Sequence, residues 1–160
     1  MYLTSVIVSN NIAVNQGGGL YQSAKKELSA IECWFVSNTA DAGGAMAITE
    51  NVLLESTIFE LNAATGGKGG ATYTNRLENP VVGPNPITFN YCTLRNNFAA
   101  LDGGAVYESS NPLVLQNTLF DTNTITANGN GGAVWVSGDL TIFDVSFNMN
   151  TATGNLAEQG

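Results

Sequence analysis

Apolar and polar residues alternate along this chain in short bursts, not on a helical stripe. Each burst is anchored by a Phe-x-x-Asn phrase: "FVSN" begins at Phe35, "FELN" at Phe59, "FDTN" at Phe120 and "FNMN" at Phe147. Two further copies, from Val8 and Leu94, carry another apolar residue in the Phe place, and successive copies lie 27, 24, 35, 26 and 27 residues apart. Seven places before the Phe stand Met1, Leu28, Val52, Ile87, Leu113 and Leu140; five before are Leu3, Ala30, Leu54, Phe89, Leu115 and Ile142. Two before are Val6, Cys33, Thr57, Cys92, Thr118 and Val145. Spacing by two is strand alternation, and the break to three between the second and third columns predicts a bend. No i, i+3, i+4, i+7 pattern runs through these segments, which excludes a helical reading.

A unit of about 25 residues, made of short strands whose equivalent positions fall in columns, predicts one rung of a solenoid. Rungs paired through parallel sheet stack at roughly 4.8 Å, so each column becomes a file of like residues along the axis. The expected core file is Val8, Phe35, Phe59, Leu94, Phe120 and Phe147. Three residues on, Asn11, Asn38, Asn62, Asn97, Asn123 and Asn150 form a second file. An amide both donates and accepts, so these side chains are expected to bond to their copies above and below as a ladder. Asn also tolerates the left-handed backbone of a tight corner. A glycine pair follows five of the six copies, at Gly18-Gly19, Gly43-Gly44, Gly69-Gly70, Gly103-Gly104 and Gly131-Gly132, and predicts another corner where no Cβ fits.

Phe-x-x-Asn followed by Gly-Gly-Ala-apolar, as in "GGAMAI", "GGAVY" and "GGAVWV", resembles the repeats of the chlamydial polymorphic outer-membrane proteins. The resemblance covers residues 3 to 155 in six units. It implies an all-β, right-handed parallel β-helix displayed outside the cell or at its surface, in adhesive or scaffolding proteins. The chain departs from those proteins in showing no C-terminal β-barrel region, so membrane anchorage does not carry over.

The regular spacing is interrupted at "NRLENPVVGPNP", residues 75–86, where three prolines and a glycine forbid a central strand. This segment is expected to loop out of the stack, either as a tolerated insertion or as a contact through Asn75, Arg76, Glu78, Pro80, Pro84 and Pro86. "QSAKKELSA", residues 22–30, holds the Lys25-Lys26 pair and predicts a solvated turn. Cys33 and Cys92 share a column two rungs apart, almost 10 Å, beyond disulfide reach of about 7 Å between Cα atoms. Both are expected to be buried free thiols. None of the Asn residues begins an Asn-x-Ser/Thr acceptor; only Asn90-Tyr91-Cys92 fits the rarer form with Cys.

Composition narrows the function. The 160 residues carry a net charge of −8, with 13 acids, 5 basic residues and no histidine. That balance excludes nucleic acid and anionic membrane surfaces as partners. No apolar run approaches the eighteen or so residues that cross a bilayer as a helix, and no targeting segment is visible. Catalysis on a β-helix needs carboxylates or a base with a cation converging on one face. Asp41 and Asp102 stand near glycine pairs two rungs apart, and Glu32, Glu55 and Asp144 flank the Phe column without clustering. A non-enzymatic reading follows, with no cofactor and no metal. Calcium-binding β-rolls need a glycine-aspartate nonapeptide that "ANGNGGAV", residues 127–134, does not repeat, and the Thr-rich "TNTITAN" is confined to one rung, which excludes an ice-binding file.

Met1 already occupies the first core column, and the last phrase stops at Gly160 where a Gly-Gly strand should begin. Solenoid ends expose apolar columns and unpaired strand edges, so the chain is expected to be a piece of a longer solenoid or a subunit that stacks on itself. The reading is an extracellular scaffold or filament segment associating end to end. Its alternative is the passenger stalk of an adhesin that binds a surface protein or glycan. A carbohydrate-active enzyme is the distant third.

Overall fold

The computed structural model describes residues 1–23, 27–49, 51–74, 86–109 and 111–153. All strands among them are short and all pairings parallel, arranged as four sheets wound around one axis. The first sheet takes Tyr2–Thr4, Leu28–Ile31, Val52–Glu55, Ile87–Asn90, Leu113–Gln116 and Leu140–Phe143 in order. The second takes Ile7–Ser9, Trp34–Val36, Ile58–Glu60, Thr93–Arg95, Leu119–Asp121 and Ser146–Asn148. The third is built from two-residue strands, Thr39–Ala40, Ala63–Ala64, Phe98–Ala99, Thr124–Ile125 and Thr151–Ala152. The fourth contains Leu20–Gln22, Met46–Ile48, Thr72–Thr74, Val106–Glu108 and Val134–Val136. Five turns pass through the fourth sheet; a sixth is described as far as the third.

Register follows the sequence columns. Val8 lies beside Phe35, Phe35 beside Phe59, Phe59 beside Leu94, Leu94 beside Phe120 and Phe120 beside Phe147. Phe35 and Phe59 stack at 5.1 Å between centroids, as do Phe120 and Phe147 at 4.9 Å, while Phe89 meets Phe59 edge-on at 6.3 Å. Phe35, Phe59, Leu94 and Phe120 are fully buried, but Phe147 in the last rung is 49% exposed. Burial therefore comes from neighbouring rungs, as expected of a quasi-one-dimensional core. A small second cluster, Ala64, Ala99 and Ile125, fills the third sheet's inner face.

The Asn file is a ladder with a direction. Asn38 donates its backbone N–H and its Nδ2 to Asn62 Oδ1 at 3.0 and 3.1 Å, and sends Nδ2 back to the Val8 carbonyl at 2.9 Å. The same three bonds recur at Asn62, Asn97 and Asn123. The left-handed backbone expected at these asparagines falls one residue earlier, on Asn10, Ser37, Leu61, Asn96, Thr122 and Met149. The preceding residue turns the chain, and the Asn then points its amide inward across that corner. A second left-handed corner, at Ser5, Glu32, Ser56, Tyr91, Asn117 and Asp144, makes the bend between the first two sheets. Those positions are outward, and Glu32 and Asp144 lie on this corner.

Two readings need correction. The first glycine pair is Gly17-Gly18, not Gly18-Gly19: Leu20 pairs with Met46, which places Gly17 beside Gly43, and both have positive φ, 65° and 61°. Gly19 is the counterpart of Ala45. Pro86 is no part of a loop that leaves the stack: its carbonyl accepts the Val52 N–H at 3.4 Å, one step before Ile87 joins the first sheet. Asn75, Arg76, Glu78, Pro80 and Pro84, together with Lys25 and Lys26, lie outside the described residues. Cys33 and Cys92 are free and buried, and burial pushes the Cys92 thiol up to about 11. Thr57 fills the space between them, its hydroxyl donating to carbonyl oxygens and accepting the Cys33 N–H at 3.3 Å.

Candidate functional site: the aromatic face of the fourth sheet

Each rung enters the fourth sheet through a left-handed glycine: Gly17, Gly43, Gly69, Gly103 or Gly131. The fourth residue after it points outward, and strand register aligns Tyr21, Ala47, Tyr73, Tyr107 and Trp135 in one file. Residues on either side face inward, so Met46, Ile48 and Val106 join the core. Tyr73 and Tyr107 stack at 5.4 Å and Tyr107 and Trp135 at 4.3 Å, with ring planes within 15° and 8° of parallel. Rings held this way present their edges to solvent and spend their faces on each other. Ala47 interrupts the file and leaves Tyr21 with no aromatic neighbour.

The residue just before the left-handed glycine forms a polar file beside the rings: Gln16, Ala42, Lys68, Asp102 and Asn130. The Lys68 ammonium lies 3.1 Å from Asp102 Oδ2, donates to the Tyr107 hydroxyl at 3.1 Å and sits 4.4 Å from that ring's centroid. Asn130 donates its backbone N–H to Asp102 Oδ1 at 2.9 Å. Burial works against the Asp102 charge, yet the Asn130 N–H and the Lys68 ammonium outweigh it and hold the carboxyl below its ordinary value. Burial likewise works against the Lys68 charge, and the bonds to Tyr107 and Asp102 outweigh it and raise the ammonium. Near neutral pH both groups stay ionised, so the pair is set up to hold charge and shape, not to exchange a proton.

The depressed carboxyl fixes a sign. A group whose folded value lies below its unfolded one contributes stability above the unfolded value, and that contribution disappears as pH falls through the folded value. Asp102→Asn is therefore expected to be less stable than the parent near pH 7, the gap closing as the solution is acidified through and below the ordinary carboxylate range. Urea titrations at a series of pH values measure it; a gap that widens in acid contradicts the assignment.

The sequence-derived acids do not converge. Asp41 aligns with Gly67 in the file next to that of Asp102, and Glu32, Glu55 and Asp144 lie on other sheets or corners. Elsewhere the pairing is between rungs of the second sheet, where Arg95 Nε and Nη2 each lie 3.0 Å from the Glu60 carboxylate. The aromatic file was missed in sequence, although its signal is simple: an aromatic residue four places after the first glycine in four of five rungs.

Comparison with known proteins agrees with this geometry. The chain matches the family described as right handed beta helix region over residues 2–155. It is 36% identical over 121 residues to a probable outer membrane protein, pmp6, of Chlamydia pneumoniae, a match covering 72% of this chain and 9% of that protein. No solved structure matches. With parallel rungs, a Phe file and an Asn ladder already evident, the chain belongs to the right-handed β-helix family, with repeats of the polymorphic outer-membrane-protein type.

Proposed function

We propose that this chain is a non-enzymatic β-helix segment displayed at a cell surface, an architectural element that associates end to end. The observation that carries the reading is the direction of the Asn ladder. Among the described residues, Asn11 Oδ1 accepts no bond, while the Asn150 backbone N–H and one Nδ2 hydrogen have no acceptor. One end rung thus offers an acceptor and the other offers donors, at matching positions in the rung. The core columns are open alongside: Leu140 is 42% exposed, Ile142 49% and Phe147 49%. A rung of the same pattern supplies what both end rungs lack, whether it belongs to a longer chain or to a second copy; between copies the contact is head-to-tail, which extends without closing. The surface location rests on the similarity to a protein described as a probable outer membrane protein, of which this chain spans only a small part. The non-enzymatic reading is supported by the ionised, mutually paired state of Lys68 and Asp102.

Negative-stain electron microscopy of the 160-residue polypeptide at neutral pH tests the association. Fibres one or a few β-helices wide are expected, and Phe147→Lys in the end rung is expected to abolish them while far-ultraviolet circular dichroism stays that of β-sheet. Discrete monomers of the parent chain overturn the end-to-end reading. The adhesin alternative is favoured by one observation, the outward aromatic file, which a purely structural rung does not need.

A further inference from the structure

The fifth rung differs from the fourth by two residues ahead of its glycine corner. Ala127 donates its N–H to the Ala100 carbonyl at 3.0 Å, and the Asn130 carbonyl accepts the Gly103 N–H at 3.0 Å. Ala127 therefore stands beside Leu101 and Asn130 beside Asp102, which leaves Asn128 and Gly129 without counterparts in the fourth rung. They form an excursion closed on itself, the Gly129 N–H donating to the Ala127 carbonyl at 2.8 Å. Packing imposes this glycine: a Cβ built on it stands 2.9 Å from both the carbonyl carbon and oxygen of Leu101 and 3.2 Å from Asp102 Oδ1. Gly131 is imposed instead by its φ of 73°. Each follows an asparagine, and Asn128-Gly129 and Asn130-Gly131 are the two Asn-Gly pairs of the sequence.

From this arrangement we infer that Asn128 is a site of spontaneous deamidation, which the fold directs to one of the two Asn-Gly pairs. The Gly129 backbone nitrogen gives its proton to hydroxide and attacks Asn128 Cγ. The new N–C bond closes a five-membered imide, the bond from Cγ to the side-chain nitrogen breaks, and that nitrogen leaves as ammonia with a proton returned by water. A second water then opens the ring. Breaking the bond to Cγ gives aspartate; breaking the bond to the main-chain carbonyl carbon gives isoaspartate, with the chain running through Cγ. The net reaction consumes one water and releases one ammonia, with no change of oxidation state. Glycine favours it because no side chain crowds the attacking nitrogen.

Exposure does not choose between the pairs, since Asn128 and Asn130 are both exposed. Bonds to the fourth rung do. Asp102 Oδ1 accepts the Asn130 backbone N–H at 2.9 Å and its Nδ2 at 3.3 Å, and the Asn130 carbonyl is tied to Gly103. Turning that amide toward the Gly131 nitrogen means leaving these partners. At Asn128 the attacking nitrogen is tied within the excursion itself, and its release leaves the bonds of Ala127 and Asn130 to the fourth rung in place. Asp102-Gly103, open to the same ring closure, is blocked twice: an ionised carboxylate is a poor electrophile, and the Gly103 N–H is spent on Asn130. The added carboxylate, and the extra backbone carbon of isoaspartate, both fall where no strand pairs.

The inference rests on bonds between two rungs inside the chain and not on end-to-end association. Its test is warm incubation of the 160-residue protein at a series of pH values from neutral to mildly alkaline, folded and unfolded in guanidinium. Mass spectrometry of chymotryptic fragments, cleaved further between the two asparagines, assigns the amide-to-acid mass change, and chromatography separates aspartate from isoaspartate. In the folded protein Asn128 is expected to convert at least tenfold faster than Asn130, and faster as pH rises, because the nitrogen must first lose its proton. Unfolded, the two are expected to convert within twofold of each other. Asp102→Ala is expected to speed conversion of Asn130 at least twofold, and Asn128→Gln to remove the fast phase with circular dichroism unchanged. No conversion at Asn128, equal or faster conversion of Asn130 in the folded protein, or a preference that survives unfolding overturns the inference.

Discussion

Alanine in place of Gly70 is expected to remove upwards of about 4 kcal/mol of unfolding free energy, beyond the ordinary range for a crowded core. A Cβ built there overlaps the carbonyl oxygens of Gly104 and Phe98 and comes within 2.6 Å of the Phe98 carbonyl carbon. All of these atoms are backbone, in the next rung of the stack. No side chain can rotate away, so relief requires the rungs to part. They are tied on both sides of the glycine: Gly70 N–H donates to the Gly103 carbonyl at 3.3 Å and Ala71 N–H to the Ala105 carbonyl at 2.9 Å. The turn is therefore closed by proximity between rungs as well as by the left-handed φ of 68° at Gly69. Gly138→Ala provides the comparison, since its nearest atom is the Asn111 carbonyl oxygen at 3.1 Å with little else around it, and a change within about 1 kcal/mol is expected there. Urea unfolding followed by circular dichroism measures both. A Gly70→Ala protein as stable as Gly138→Ala means that the stack yields more easily than its hydrogen bonds imply.

The glycine corner shows how far the sequence carries the fold and where it stops. Columns are legible because every rung repeats the same test of alternation, so six weak signals at Val8, Phe35, Phe59, Leu94, Phe120 and Phe147 add up. Gly17-Gly18-Gly19 defeats that logic, because three consecutive glycines admit two alignments and only the strand pairing of Leu20 with Met46 decides between them. The left-handed corners are harder still. Ser5, Glu32, Ser56, Tyr91, Asn117 and Asp144 share a backbone conformation but no side-chain type, so the conformation is imposed by the rungs on either side. The Lys68–Asp102 contact is hidden for a different reason. The stretch between the Asn and the first glycine differs in length from rung to rung, six residues from Asn97 to Gly103 but eight from Asn123 to Gly131. Counting from the Asn separates residues that counting back from the glycine brings together. The aromatic file obeys the glycine count, and its recurrence at Tyr21, Tyr73, Tyr107 and Trp135 was there to be read.

Asn97→Ala is expected to cost about 3–5 kcal/mol, against less than about 1 kcal/mol for Asn11→Ala at the exposed end of the same file. The difference follows from counting what each amide serves. Asn97 Oδ1 accepts the Asn62 backbone N–H at 3.1 Å and Asn62 Nδ2 at 3.0 Å. Its own Nδ2 donates to the Phe59 carbonyl at 3.0 Å and to Asn123 Oδ1 at 2.9 Å. Truncation leaves two donors of Asn62 unpaired and takes one donor from the Phe59 carbonyl, which keeps its place in the strand ladder, with Asn62 and Phe59 fully buried. Each such orphan costs about 1–3 kcal/mol, and water entering the vacated space recovers part of the sum. Asn123 Oδ1 keeps one bond, from the Asn97 backbone N–H at 3.1 Å, and adds little to the loss. Asn11, by contrast, is exposed, and its side chain makes one bond, to Asn38 Oδ1 at 2.9 Å. Asn97→Asp separates polarity from packing. The carboxylate matches the amide in shape and still accepts from Asn62, but it aims an oxygen at the Phe59 carbonyl and at Asn123 Oδ1. A buried carboxylate facing two acceptors has its folded value raised, so the variant should be least stable at high pH and recover as acid restores a proton to donate. A cost for Asn97→Ala no larger than that for Asn11→Ala means that the ladder follows from the stacking of the rungs and contributes nothing of its own to holding them in register.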